Sequence, residues 1–253
     1  MENLGASLGW GLVVGASLVV GAVAAAYLRL PSRFAAALTA FGGGVLFAAI
    51  ALELVPEADR QAGVPLTALG LLAGTLVYVA ADAWLSRDPS MDRMRRSGHA
   101  AAAGRPMMMH SSEAARGESI AAGLFVDGVP ESIALGLTVA EGEIGVALLA
   151  GVLVGNVVEA YGAAQPIVAG GHTRRFAITL LAAIGAALAL ATLLGGTALA
   201  DASGEVVGTA EAIAAGAVLA VITVAIVPHA FEEVSRLVAS ATVAGFITGY
   251  LLS

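Results

Sequence analysis

Long apolar stretches follow one another along this chain with few polar breaks. Leu4–Leu28, Phe34–Leu52, Val64–Ala81 and Phe176–Ala200 each come close to the roughly 20 apolar residues a helix needs to cross the hydrocarbon core of a bilayer. Helices that are apolar on every face cannot all be buried around one soluble core of this size. The pattern therefore predicts an all-α polytopic membrane protein. Eight transmembrane helices are expected, at about 5–28, 34–57, 64–85, 118–139, 144–170, 176–200, 208–230 and 237–252. Their connections are short except for Ser86–Gly117, which is rich in Arg, Ser, Gly and Met, has no helical periodicity and reads as a flexible linker. The chain thus divides into 1–85 (spans one to three), the linker 86–117, 118–170 (spans four and five) and 171–253 (spans six to eight). The first run is too long for a signal-peptide core and opens on an acid, Glu2, so it is expected to be a retained helix.

Composition agrees with this class: 58% of the 253 residues are hydrophobic and 12% charged, about half the charge of a soluble domain. All twelve basic residues are arginines, which excludes a retinal or pyridoxal-phosphate Schiff base, since both need a lysine amine. There is no cysteine, so a metal site must be built from Asp, Glu, His, Asn, Met or backbone oxygen. The net charge of −7 argues against a nucleic acid partner. The arginines set the orientation. Arg29 and Arg33, the six arginines of the linker, Arg174, Arg175 and Arg236 all fall on one side of the expected spans, and only Arg60 falls on the other. By the positive-inside rule the linker is cytoplasmic and both termini are outside, in a multi-pass protein of the cell membrane.

The chemistry sits in spans four and five. Phe125-Val126-Asp127-Gly128-Val129-Pro130-Glu131-Ser132 places two carboxylates four residues apart, on one helical face near mid-membrane. Pro130 has no N–H for the carbonyl of Val126, which is freed, and a kink is expected. Gly155-Asn156-Val157-Val158-Glu159-Ala160 puts an amide and a carboxylate three residues apart at similar depth. No basic residue lies in any expected span to neutralise Asp127, Glu131 and Glu159. Such acids either share protons or hold a cation, and intramembrane acids mark functional sites by default.

The ends of spans two and seven echo one another: Glu53-Leu54-Val55-Pro56-Glu57-Ala58 against Ile226-Val227-Pro228-His229-Ala230-Phe231-Glu232-Glu233. Since the two spans run in opposite directions, the echo suggests an inverted repeat of spans one to three with six to eight around four and five.

The two motifs resemble those of the ZIP family of divalent metal transporters, which carry His-Asn-x-Pro-Glu-Gly in the fourth helix and His/Gln-Asn/Asp-x-x-Glu in the fifth. Helix count, outside termini, the long loop after the third span and the repeat fit the same family. The resemblance implies transport of a divalent cation, zinc first, by alternating access. Relatives can hold two metals bridged by the motif glutamates. Here Glu131, Asn156 and Glu159 are retained, while Asp127 stands for the usual His, Gly128 for Asn and Gly155 for a ligand. Span six has no carboxylate to complete a second site, so one metal, or one strong and one weak site, is expected. Carboxylate in place of imidazole shifts preference towards harder ions, so Mn2+, Mg2+ or Fe2+ are alternatives, with Cd2+ a further candidate. The resemblance also suggests a homodimer.

Other candidates have plainer readings beside them. Glu53 and Glu57 would collect cations at the entrance, or Glu57 is a solvated helix end. His229 with Glu232 and Glu233 would form an exit site, or an ordinary polar helix end. Asp82 would pair with Arg87, or assist release of the ion. His99, His110 and Met107–Met109 in the linker would buffer metal, or are solvated. With no phosphate-cradling Gly-rich loop followed by Lys, transport would not be driven by ATP in this chain. No enzymatic role is expected: an Asp82–Asp127 protease pair is placed at unequal depths, and no Gly-x-Ser-x-Gly is present. The remaining alternative is a metal-binding sensor that moves no ion.

Overall fold

A computed structural model of the chain describes residues 2–28, 30–85, 114–142, 144–169, 171–199, 202–227 and 236–253. All regular structure among them is helical. The helices are α1 (Glu2–Tyr27), α2 (Ser32–Ala49), α3 (Val55–Ala62), α4 (Val64–Leu85), α5 (Ala114–Ala140), α6 (Val146–Ala169), α7 (Arg174–Ala198), α8 (Gly204–Val221) and α9 (Arg236–Leu252). A π-helical segment, Ile50–Leu54, carries α2 into α3, and a second, Ile222–Ile226, extends α8. Seven of the resulting rods are long and apolar enough to cross a membrane, and α9, at 17 residues, is the shorter eighth.

Helix ends depart from the apolar runs where polar residues continue the backbone ladder. The second span was expected to stop at 57, yet it runs on through the polar α3 to Ala62. Residues 114–117, expected in the linker, form the start of α5. Helical hydrogen bonds do not require apolar side chains, so a charge marks the edge of the bilayer and not the end of the helix. The helix stops where Gly63 takes φ 78°, a left-handed conformation that glycine adopts without a Cβ penalty. At the other end of α7, Thr173 accepts a hydrogen bond from the Phe176 N–H at 3.1 Å and so caps an exposed helix N-terminus.

The outside of the bundle is apolar. On α4, Leu76, Val77 and Trp84 are 67%, 64% and 68% exposed, whereas Tyr78 between them in register is 2% exposed. In water such a surface would drive aggregation; facing lipid it is solvated. The protein is accordingly a multi-pass helical bundle with one thin polar interior. α5 is the most enclosed of the spans, packed by α7, α6 and α8.

Helices meet through small residues. A Cβ built on Gly15 of α1 would lie 2.5 Å from the carbonyl oxygen of Gly185 on α7, and one on Gly185 would lie 2.5 Å from that of Gly15. The two backbones therefore touch, a geometry that only paired glycines permit and that suits a medium where dispersion, not the hydrophobic effect, holds helices together. Gly15→Val and Gly185→Val should each destabilise the folded protein by about 1–3 kcal/mol through overpacking. The double substitution should fall short of the sum because both act at one contact. Gly9→Ala on the same helix, with nothing within 4 Å of the added carbon, should be neutral. Thermal unfolding in one detergent compares all four variants with the native chain.

Candidate metal centre

α5 sets Asp127 and Glu131 one turn apart, and both are buried, at 2% and 4% exposure. The helix continues through Pro130, whose missing N–H leaves the Val126 carbonyl without its usual intrahelical donor. α6 carries Asn156, 1% exposed, and one turn later the half-buried Glu159. Glu131 lies within electrostatic reach of both Glu159 and Asp127. Three of the acids singled out by the sequence thus share one region of the interior. Arg33, Arg60, Arg174, Arg175 and Arg236, by contrast, are exposed. The Asn156 amide turns towards α1, where Nδ2 approaches the Val14 carbonyl at 3.5 Å, long for a hydrogen bond.

Two neighbours of these acids were not legible in the motifs. The Tyr78 hydroxyl donates to Asp127 Oδ1 at 2.7 Å, which brings α4 into the site. A buried tyrosine hydroxyl in an otherwise apolar span needs a partner, and that was the available signal; which face of α4 turns inward is set only by tertiary packing. Ser132, next to Glu131, is fully buried and its hydroxyl has no hydrogen-bond partner.

The two glycines that stand where relatives of the resembled family carry ligands differ in their surroundings. A Cβ on Gly128 would meet Leu188 Cδ1 of α7 at 2.7 Å, so that position is filled by packing. A Cβ on Gly155 would meet nothing within 4 Å, so a larger side chain has room there.

The remaining candidates stand apart. Glu53 sits in the π segment after α2, and its carboxylate accepts hydrogen bonds from the backbone N–H groups of Ala147, at 3.2 Å, and Leu148, at 3.4 Å. Those are among the unpaired first amides of α6, so Glu53 caps a helix and its charge meets the positive end of the helix dipole. Glu57 is ion-paired to Arg60 and accepts from Gln61 at 2.8 Å. His229, Glu232, Glu233 and the linker residues 86–113, with Arg87, lie outside the described residues. Among the described residues no group of three or more His, Asp or Glu is already drawn together as a ligand set for a metal ion.

No family model matches this chain, and no curated protein matches it. The functional reading therefore rests on the site.

The two roles of Glu53, cap and cation collector, separate experimentally. Glu53→Ala should lower stability by about 1 kcal/mol, as loss of an N-terminal cap does, and Glu53→Gln, which still accepts, by less. Thermal unfolding reads this, and metal affinity of the interior acids in the folded fraction should be unchanged in both.

Proposed function

We propose that this chain is a ZIP-like transporter that carries a divalent metal cation, zinc first, across a membrane by alternating access without ATP hydrolysis. The observation that carries the reading is Glu131, 4% exposed and within electrostatic reach of both Asp127 and Glu159. Ionised carboxylates at that depth are costly unless paired, hydrated or bound to a cation. A divalent ion satisfies three at once, with the Asn156 carbonyl and the Val126 backbone oxygen as further hard donors. Binding must draw these groups together, since among the described residues they are not already gathered as a ligand set. Partial dehydration against carboxylate oxygens sets selectivity.

Alternating access suits an inverted repeat, and several features support one. Each π segment begins six residues before a proline, Pro56 and Pro228, and six after a glycine, Gly44 and Gly216. The packing partners also correspond: α1 pairs with α7, while α2 on α9 mirrors α8 on α4, and α1 on α6 mirrors α7 on α5. On this reading both termini are outside, and metal leaves towards His229 and Glu233.

The test is uptake into sealed proteoliposomes holding a metal-sensitive dye, with zinc, manganese, iron and cadmium compared. Saturable uptake by the native chain should be abolished by Glu131→Ala and by Glu159→Ala. Gly155→His, placed where there is room, should restore an imidazole donor and raise the preference for zinc over manganese several-fold. Metal binding without uptake by the native chain would replace transport with a sensor.

A further inference from the structure

A second polar region lies at the end of the bundle where α3 closes, α5 ends and α6 and α8 begin. A cavity of about 350 Å³ opens there, and its lining includes Glu53, Glu57, Arg60, Glu141 and Glu211. It is separate from the interior acids. Glu141 follows the end of α5, ten residues beyond Glu131, which is about 15 Å along a helix axis.

Three of the four glutamates have donors. Glu53 is held by two amides of α6, Glu57 by Arg60 and Gln61, and Glu141 by the second hydrogen bond of Gln61. Arg60 is committed to Glu57 and its side chain is 74% exposed. Glu211 differs. It is fully buried on α8, lines the cavity, and neither of its carboxylate oxygens has a hydrogen-bond partner. The side chain set against it is another acid, Glu141, and among the described residues Arg60 is the one positive charge in electrostatic reach. A contact between two carboxyl groups is a hydrogen bond only if one is protonated, and is otherwise repulsive. A buried acid whose nearest polar neighbour is a second acid is satisfied by a proton or by a cation held between them.

We infer that Glu211 and Glu141 form a binding site for a hydrated divalent cation. Two carboxylates leave most of the ion's coordination to water, the arrangement in which hard cations such as Mg2+ and Mn2+ bind through one or two carboxylates and keep several waters. The cavity has room for those waters, each of about 30 Å³. Affinity should be weak, in the range of roughly 10⁻⁴–10⁻³ M that sites with few charged ligands show. Glu57 and Glu53 add negative potential, and Arg60 opposes it. The bound ion would bridge α8 to the connection between α5 and α6. The site stands whether or not the chain transports metal.

The probe is Mn2+, whose free-ion paramagnetic resonance signal disappears on binding. The full chain carrying Glu131→Ala and Glu159→Ala, which empties the interior centre, should still bind one Mn2+ weakly. Adding Glu211→Gln, nearly the same shape without the charge, should weaken that binding at least about tenfold, and adding Glu141→Gln should weaken it several-fold. Glu205→Gln, an acid on the same helix, should leave it unchanged. Absence of Mn2+ binding in the double-alanine background, or unchanged affinity with Glu211→Gln, overturns the proposal. Should Glu211→Gln fail to fold, the exposed Glu141 decides, and unchanged affinity in Glu141→Gln overturns it equally. Proteoliposome uptake by the native chain tests transport separately.

Discussion

The gathering of buried carboxyl groups in one region of the interior is the constraint on which the rest of this structure depends. Desolvating one carboxylate costs several kcal/mol, and the interior holds Asp127 and Glu131 almost fully enclosed, with Glu159 beside them. Among the described contacts, the Tyr78 hydroxyl donates to Asp127, and Pro130 leaves the carbonyl of Val126 without its intrahelical donor. Hydroxyl donors stabilise a carboxylate without cancelling its charge. On the function proposed above, a divalent cation completes this set of oxygen donors.

That demand is compatible with a stable bundle only because packing is secured elsewhere. The helices approach one another through glycine and alanine, with Gly15 against Gly185 as the tightest reciprocal example. Contacts of this kind depend on backbone shape and not on large interlocking side chains, so they leave the outer faces free to meet lipid and the polar interior thin. The π segments fit the same economy of means. Each changes the helical register ahead of a proline, and in the first of them Glu53 reaches the amides of α6.

The spans were legible in the sequence because lipid requires every backbone polar group to be paired within the helix, so a long apolar run leaves one structure open. The acids of α5 and α6 were legible for the same reason: a charge in such a run needs a function to explain it. What could not be read is rotation. A helix apolar all round, like α4, carries no periodic signal for the face that turns inward, so Tyr78 could not be assigned to Asp127 although its hydroxyl had to bond somewhere. Glu53 looked like an entrance residue because its depth was visible and the amides of Ala147 and Leu148, far away in sequence, were not. Glu211 was passed over since it stands alone in α8, outside any motif, and its significance comes from Glu141 across the cavity. The end of the second span was misjudged by charge, which reports the edge of the bilayer and not the end of a helix.

Glu53 also shows how the two polar regions are tied together. It lines the cavity that Glu211 and Glu141 share, yet its carboxylate is bound to the first amides of α6, the helix that carries Asn156 and Glu159 deeper in the bundle. A cation between Glu211 and Glu141 would pull on the connection that enters α6 immediately beside that cap. Cap and cavity therefore meet at the start of α6, the helix on which Asn156 and Glu159 lie one turn apart.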